Sequence, residues 1–182
     1  NSMDYWAIAS SEYLVSQGIT PFSECDKHFL EDGMRVWYDT AVSKGLCADY
    51  QSVSDGIYAI MDKYYNNDVK LKDGVYDMLC RLKDKGVKMC LATATDKAYV
   101  VKILTRLGII DFFSEIFTAK EVGLGKRHPL IYHKALEFLG TDPSTTYVFE
   151  DAYYAINTCH QNGIKVVGVY DKNVYASKEK II

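Results

Sequence analysis

The chain has 182 residues, 48% of them hydrophobic and 25% charged, with a formal net charge of −3 at pH 7. That length buries the core of one domain, or of one domain carrying a smaller insertion. The charge pattern has no basic stripe for nucleic acid, no apolar run is long enough to span a bilayer, and no signal-peptide pattern is present, so the expectation is a cytoplasmic protein that engages neither nucleic acid nor membrane. Five cysteines (Cys25, Cys47, Cys80, Cys90 and Cys159) are scattered without a C-x-x-C pair, which argues against a disulfide framework and a zinc site. Reduced, mostly buried thiols are expected.

Before Leu71 only helical patterns occur. Asp4 to Gln17 places Tyr5, Ile8, Ala9, Tyr13 and Leu14 at helical spacing, with Gly18 as a stop. Glu24 to Val42 carries Phe29, Met34, Val36 and Trp37 and bends around Gly33. Ser52 to Tyr65 sets Val53, Ile57, Ile60, Met61 and Tyr64 on one face, and Asn66-Asn67-Asp68 reads as a turn.

After Leu71 helices and strands alternate. Asp73 is placed to cap a helix to about Lys85, with Gly86 after its end. A buried strand is expected over Val87 to Thr93, a helix over Asp96 to Leu107, and a short strand over Ile116 to Thr118. Pro129 opens a helix to Leu139. A strand over Thr146 to Phe149, a helix over Ala152 to Asn162 and a strand over Lys165 to Val169 complete the series. Such alternation indicates a parallel sheet covered on both faces.

Ligands of open parallel sheets bind at the carboxyl ends of the strands. Three polar motifs gather at predicted strand ends or the loops that follow them. Leu91-Ala92-Thr93-Ala94-Thr95 puts a hydroxyl between a strand and a helix start, where Thr93 and the N–H groups of Ala94 and Thr95 suit a phosphate. Read alone, the segment favours Thr95 or Asp96 as a plain helix cap. Gly123-Leu124-Gly125-Lys126-Arg127-His128-Pro129 is a loop whose lysine suits a phosphate and a neighbouring carboxylate, or simply solvent. Its spacing is not that of a P-loop. Glu150-Asp151 follows Val148-Phe149 and suits a hard cation such as magnesium, although Asp151 also suits a cap. His128 lies in the Lys126 loop, within reach of a substrate, whereas His28, His133 and His160 show no metal spacing.

With these motifs in this order, the chain resembles the haloacid dehalogenase superfamily, in particular its small-molecule phosphatases and β-phosphoglucomutase-like enzymes. Leu91-Ala92-Thr93 looks like the second motif, whose hydroxyl binds the transferring phosphoryl group. Gly125-Lys126-x-x-Pro129-x-x-Tyr132 looks like the third, and Val148-Phe149-Glu150-Asp151 like the fourth, which holds magnesium. Arg127 and Leu130 depart from the usual proline and acid of the third motif, and Ala152 and Ala155 from the serine and glycine of the fourth.

The resemblance implies an α/β fold: a Rossmann-like, three-layer core at 70–182 around a parallel sheet, with a small all-helical cap domain at 4–69. Lys27, His28 and Arg35 are candidate cap contacts, although exposed helix residues are the favoured reading of all three. It also implies Mg2+ held by Asp151 and Glu150, a phosphoryl group held by Thr93, Ala94, Thr95 and Lys126, and Thr93 and Lys126 as catalytic residues. The implied substrate is a small phosphorylated metabolite. The family's first motif, D-x-D-G-T, supplies the nucleophile from the central strand. It does not occur in these residues, and Asp4, inside a predicted helix, is no substitute. The expectation is therefore that the first core strand lies upstream of residue 1 and that residues 1–182 alone are inactive. A phosphatase is expected, with a phosphomutase or a non-catalytic binding protein of the same fold as alternatives. The oligomeric state is not legible.

Overall fold

Asp49 starts the longest helix of the chain's first part. Its carboxylate accepts the Ser52 N–H at 3.0 Å, which satisfies a donor that the first helical turn leaves open. In a computed structural model that describes residues 2–23, 25, 29–30 and 33–171, two compact units emerge, residues 1–70 and 71–182.

The first unit contains α1 (Met3–Ser16), α2 (Met34–Ser43) and α3 (Tyr50–Asn67). Val53, Ile57, Met61 and Tyr65 form the buried stripe of α3, against which α1 packs with Ala9, Tyr13 and Leu14. Trp37 of α2 is fully buried, and its indole N–H points at the Cys25 sulfur at 3.0 Å. Two expectations change here. Of the turn predicted at Asn66-Asn67-Asp68, Asp68 is the turn residue, whereas Asn66 and Asn67 belong to the last turn of α3, where their side-chain amides donate to the Asp62 carboxylate at 3.0 Å and the Lys63 carbonyl at 2.9 Å. Ile8, expected inward on α1, is exposed. Of the expected helix over Glu24 to Val42, residues 24, 26–28, 31 and 32 lie outside the described residues.

In the second unit α4 (Val75–Asp84) leads to β1 (Leu91–Thr93), α5 (Lys97–Arg106), a 3-10 turn (Ile110–Phe112) and β2 (Ile116–Thr118). Then come α6 (Ala119–Val122), α7 (Leu130–Leu139), β3 (Tyr147–Glu150), α8 (Tyr153–Gln161) and β4 (Lys165–Gly168). Asp73 does not cap α4: Val75 donates to the Lys72 carbonyl at 3.2 Å, and the turn this closes needs Gly74 in the left-handed region at φ 76. The strand expected from Val87 begins only at Leu91, because the Val87 N–H is taken by the Leu82 carbonyl at the end of α4.

β1 pairs in parallel with β2, Leu91 opposite Ile116 and Thr93 opposite Thr118. β3 pairs in parallel with β4, Tyr147 opposite Lys165 and Glu150 opposite Gly168. Among the described residues no ladder joins the two pairs. They nevertheless rest on one apolar cluster. Ile131, Tyr132 and Leu136 of α7, with Cys159 and Ile164, receive Ala92 and Phe117 from the first pair and Val148 and Val166 from the second. A separate cluster of Leu79, Val100, Leu104, Ile109 and Ile116 covers Leu91. This is the Rossmann-like α/β core the resemblance implied, its parallel strands lying in two pairs, and a helical unit precedes it in the chain. Among the described residues no helix is long and apolar enough to cross a membrane.

Candidate active site

Each candidate side chain stands at, or just past, the carboxyl end of a strand or in a loop reaching such an end. Thr93 is the last residue of β1, and its hydroxyl oxygen accepts the Thr95 N–H at 3.1 Å. That bond fixes the hydroxyl oxygen while its proton stays available to donate. The Thr95 N–H, expected to face a phosphate, donates here to Thr93. Asp96, weighed as a cap for α5, makes no capping bond and instead accepts from Lys120 at 2.8 Å.

Glu150 is the last residue of β3 and is buried. One carboxylate oxygen accepts the Lys126 ammonium at 2.6 Å, and the other accepts the Asp151 and Ala152 N–H groups at 3.2 and 3.1 Å. Burial works against the charge, but the Lys126 ammonium and these hydrogen bonds hold the Glu150 carboxyl below the ordinary glutamate value. Asp151 behaves oppositely: burial first, and then the adjacent Glu150, push its carboxyl up to about 6. The two neighbours thus divide the work, one already neutralised by lysine and one carrying a charge that lacks compensation. An oxygen donor whose ionisation is costly suits a hard divalent cation, which restores that cost. Among the described residues no group of three or more His, Cys, Asp or Glu side chains gathers in metal-binding geometry.

Lys126 reaches this point from the loop that Gly123 (φ 80) opens after α6. Its neighbour Arg127 lies over the Tyr154 ring, 4.5 Å from the centroid. His128 is exposed, and its Nδ1 accepts the Leu130 N–H at 3.2 Å, which ties it to the start of α7. Arg35 pairs with Asp39 at 3.3 Å within α2 and lies over Tyr50, while Lys27 and His28 fall outside the described residues. All five cysteines are unpaired, and only Cys25 and Cys159 are fully buried. Burial pushes the Cys90 and Cys159 thiols up to about 11, so neither offers a thiolate near neutrality. The sequence did not mark Tyr154; its position just past Glu150-Asp151 was the one signal available.

Residues 18–169 match the haloacid dehalogenase-like hydrolase family. The chain is 33% identical over 97 residues to validoxylamine A 7'-phosphate phosphatase of Streptomyces hygroscopicus subsp. limoneus, covering 53% of this chain and 46% of the relative. It is 35% identical over 99 residues to β-phosphoglucomutase of Bacillus subtilis (strain 168), covering 54% and 43%. The chain thus spans about half the length of these curated relatives. Among solved structures, a HAD hydrolase of family IA, variant 3, from Entamoeba histolytica HM-1:IMSS superposes with a TM-score of 0.83 at 22% identity, over 94% of this chain and 79% of that one. That likeness establishes the fold.

Proposed function

The chain belongs to the haloacid dehalogenase-like hydrolase family, and on that premise we propose that the whole protein is a magnesium-dependent phosphatase of small phosphomonoesters, sugar phosphates first among them. The observation that carries the reading is the Lys126–Glu150 ion pair beside Asp151 at the carboxyl end of β3. It puts a fixed cation and an uncompensated carboxylate at one point, as a phosphate and a divalent cation require. The names of two relatives, a validoxylamine A 7'-phosphate phosphatase and a β-phosphoglucomutase, support the substrate class.

In this reading Thr93 donates its hydroxyl proton to a phosphoryl oxygen and the Lys126 ammonium faces another. Glu150 holds Lys126 through one oxygen and the Asp151 and Ala152 N–H groups through the other, so the metal falls first to Asp151, with Glu150 beside it. Bound Mg2+ supplies charge neutralisation as negative charge builds on the phosphoryl oxygens. The nucleophile is a carboxylate of the D-x-D-G-T motif that the resemblance implies. Its oxygen forms the bond to phosphorus as the ester P–O bond breaks. The leaving alcohol takes a proton from a general acid, and water then hydrolyses the acyl phosphate.

The test is phosphate release by the full-length protein from a panel of sugar phosphates, with magnesium and with chelator, alongside sugar product analysis. Magnesium-dependent release of inorganic phosphate is the expected result. A phosphorylated isomer without free phosphate replaces the hydrolase reading with a mutase. No turnover of any substrate leaves a binding protein.

A further inference from the structure

Two glycines, Gly123 and Gly125, flank the approach to Lys126, so the backbone of this loop has little intrinsic preference for one path. A long lysine side chain also loses considerable rotamer freedom when held on one carboxylate. Something besides the lysine must therefore fix the loop. The next residue makes a second tie to the same region of the core: the Arg127 guanidinium sits 4.5 Å from the Tyr154 ring centroid. Tyr154 is half-buried in the first turn of α8, immediately past the Glu150-Asp151 pair to which Lys126 reaches. Two consecutive loop residues are thus attached to two adjacent points of the β3–α8 junction, one by an ion pair and one by a ring face.

We propose that Arg127 and Tyr154 form a positioning pair that holds the 123–128 loop so that Lys126 stays on Glu150. Neither residue is required to touch the substrate. The planar guanidinium matters because it covers the ring as a flat cation, which an ammonium does less well. A contact of this kind favours the held arrangement about two- to fivefold. The tie is read from the loop and ring alone. Only the effect on turnover rests on the phosphatase reading, through Lys126.

The experiment is competitive acetylation of the full-length protein with acetic anhydride, followed by peptide mass spectrometry, with exposed Lys88 as the internal standard. Arg127→Ala and Tyr154→Leu are each expected to raise the relative labelling rate of Lys126 about threefold. The double variant should gain less than the product of the two single gains, because the Arg127–Tyr154 contact is lost in all three. Tyr154→Phe keeps the ring and should label as the parent does, while Arg127→Lys should fall between. A parental Lys126 rate in Arg127→Ala, or a multiplied gain in the double variant, overturns the proposal. Thermal melts identify any variant that unfolds, and Tyr154→Phe with Arg127→Lys then carry the test. Where the protein turns over a phosphomonoester, the same variants should lower kcat by a similar factor at unchanged KM. A change confined to KM would mark Arg127 as a substrate contact and overturn the positioning role. If no phosphomonoester is turned over, the phosphatase reading fails while the labelling result stands by itself.

Discussion

The Lys126 ammonium meets the Glu150 carboxylate at 2.6 Å with only 12% and 6% of the two side chains exposed. A pair this deep is held mainly by what its loss would cost, since removing one partner strands the other charge in the core. Lys126→Ala should therefore do two separable things. It should lower stability by about 3 kcal/mol, read by urea unfolding at pH 7. It should also lower phosphate release by orders of magnitude in the full-length enzyme. The double variant Lys126→Met, Glu150→Gln removes both charges and should recover most of the stability while staying inactive. A double variant as unstable as the single one would show that the pair is not an isolated unit.

Asp151 is the member of the acidic pair whose charge lacks a partner, with burial holding its carboxyl up to about 6. Asp151→Asn keeps the shape and removes that charge, so the metal-free protein should be as stable as the parent or slightly more so. Magnesium at a hundredfold excess over its Kd should stabilise the parent by about 2.7 kcal/mol and leave Asp151→Asn unmoved. Thermal melts with and without magnesium read this without any substrate. Equal magnesium stabilisation of both proteins would remove Asp151 from the metal site.

Thr93 holds its hydroxyl oxygen on the Thr95 N–H at 3.1 Å, which orients the remaining proton. Thr93→Ser keeps both and should retain turnover within a few-fold. Thr93→Val deletes the donor at constant volume and should lower kcat about a hundredfold, the scale for removing one donor from a developing charge. Similar steady-state rates for the serine and valine variants would return Thr93 to a purely local role in its turn.

Much of this site was legible because strand ends leave a pattern: an apolar run that stops on Thr93 or on Glu150-Asp151 and is followed by a helix. What local pattern cannot carry is pairing across distance. Glu150 read as a metal ligand beside Asp151, and only the fold brings Lys126 onto it across a separation of 24 residues. Asp96 read as a cap for the same reason, with its real partner on Lys120 of another element. The Thr118-x-x-Glu121 capping box was present in the sequence and starts α6, a helix that was not among the expected elements. Asn66 and Asn67 show the opposite failure: asparagines suggested a turn, but their side chains bond one turn back, to Asp62 and Lys63, and the helix runs on to Asn67 before Asp68 turns the chain.

Gly56 in α3 tests the packing of the first unit. A Cβ built there would stand 2.2 Å from Cε2 of the Tyr13 ring, a side chain that is itself buried in α1. Two effects oppose each other in Gly56→Ala. Alanine raises helix propensity by about 1 kcal/mol, while forcing a methyl against a ring in a packed core costs about 1–3 kcal/mol. The colliding atoms belong to the ring rather than to the free end of a flexible chain, so packing should win and the variant should be about 1–2 kcal/mol less stable. Tyr13→Leu opens the space at its own cavity cost. Adding Gly56→Ala to Tyr13→Leu should then cost nothing further or restore some stability through the helix term, a coupling of the kind expected between touching residues. Urea unfolding followed by far-UV circular dichroism measures all three variants. Additive losses in the double variant would mean that the α1–α3 contact relaxes around the methyl, and that glycine stands at this position for another reason.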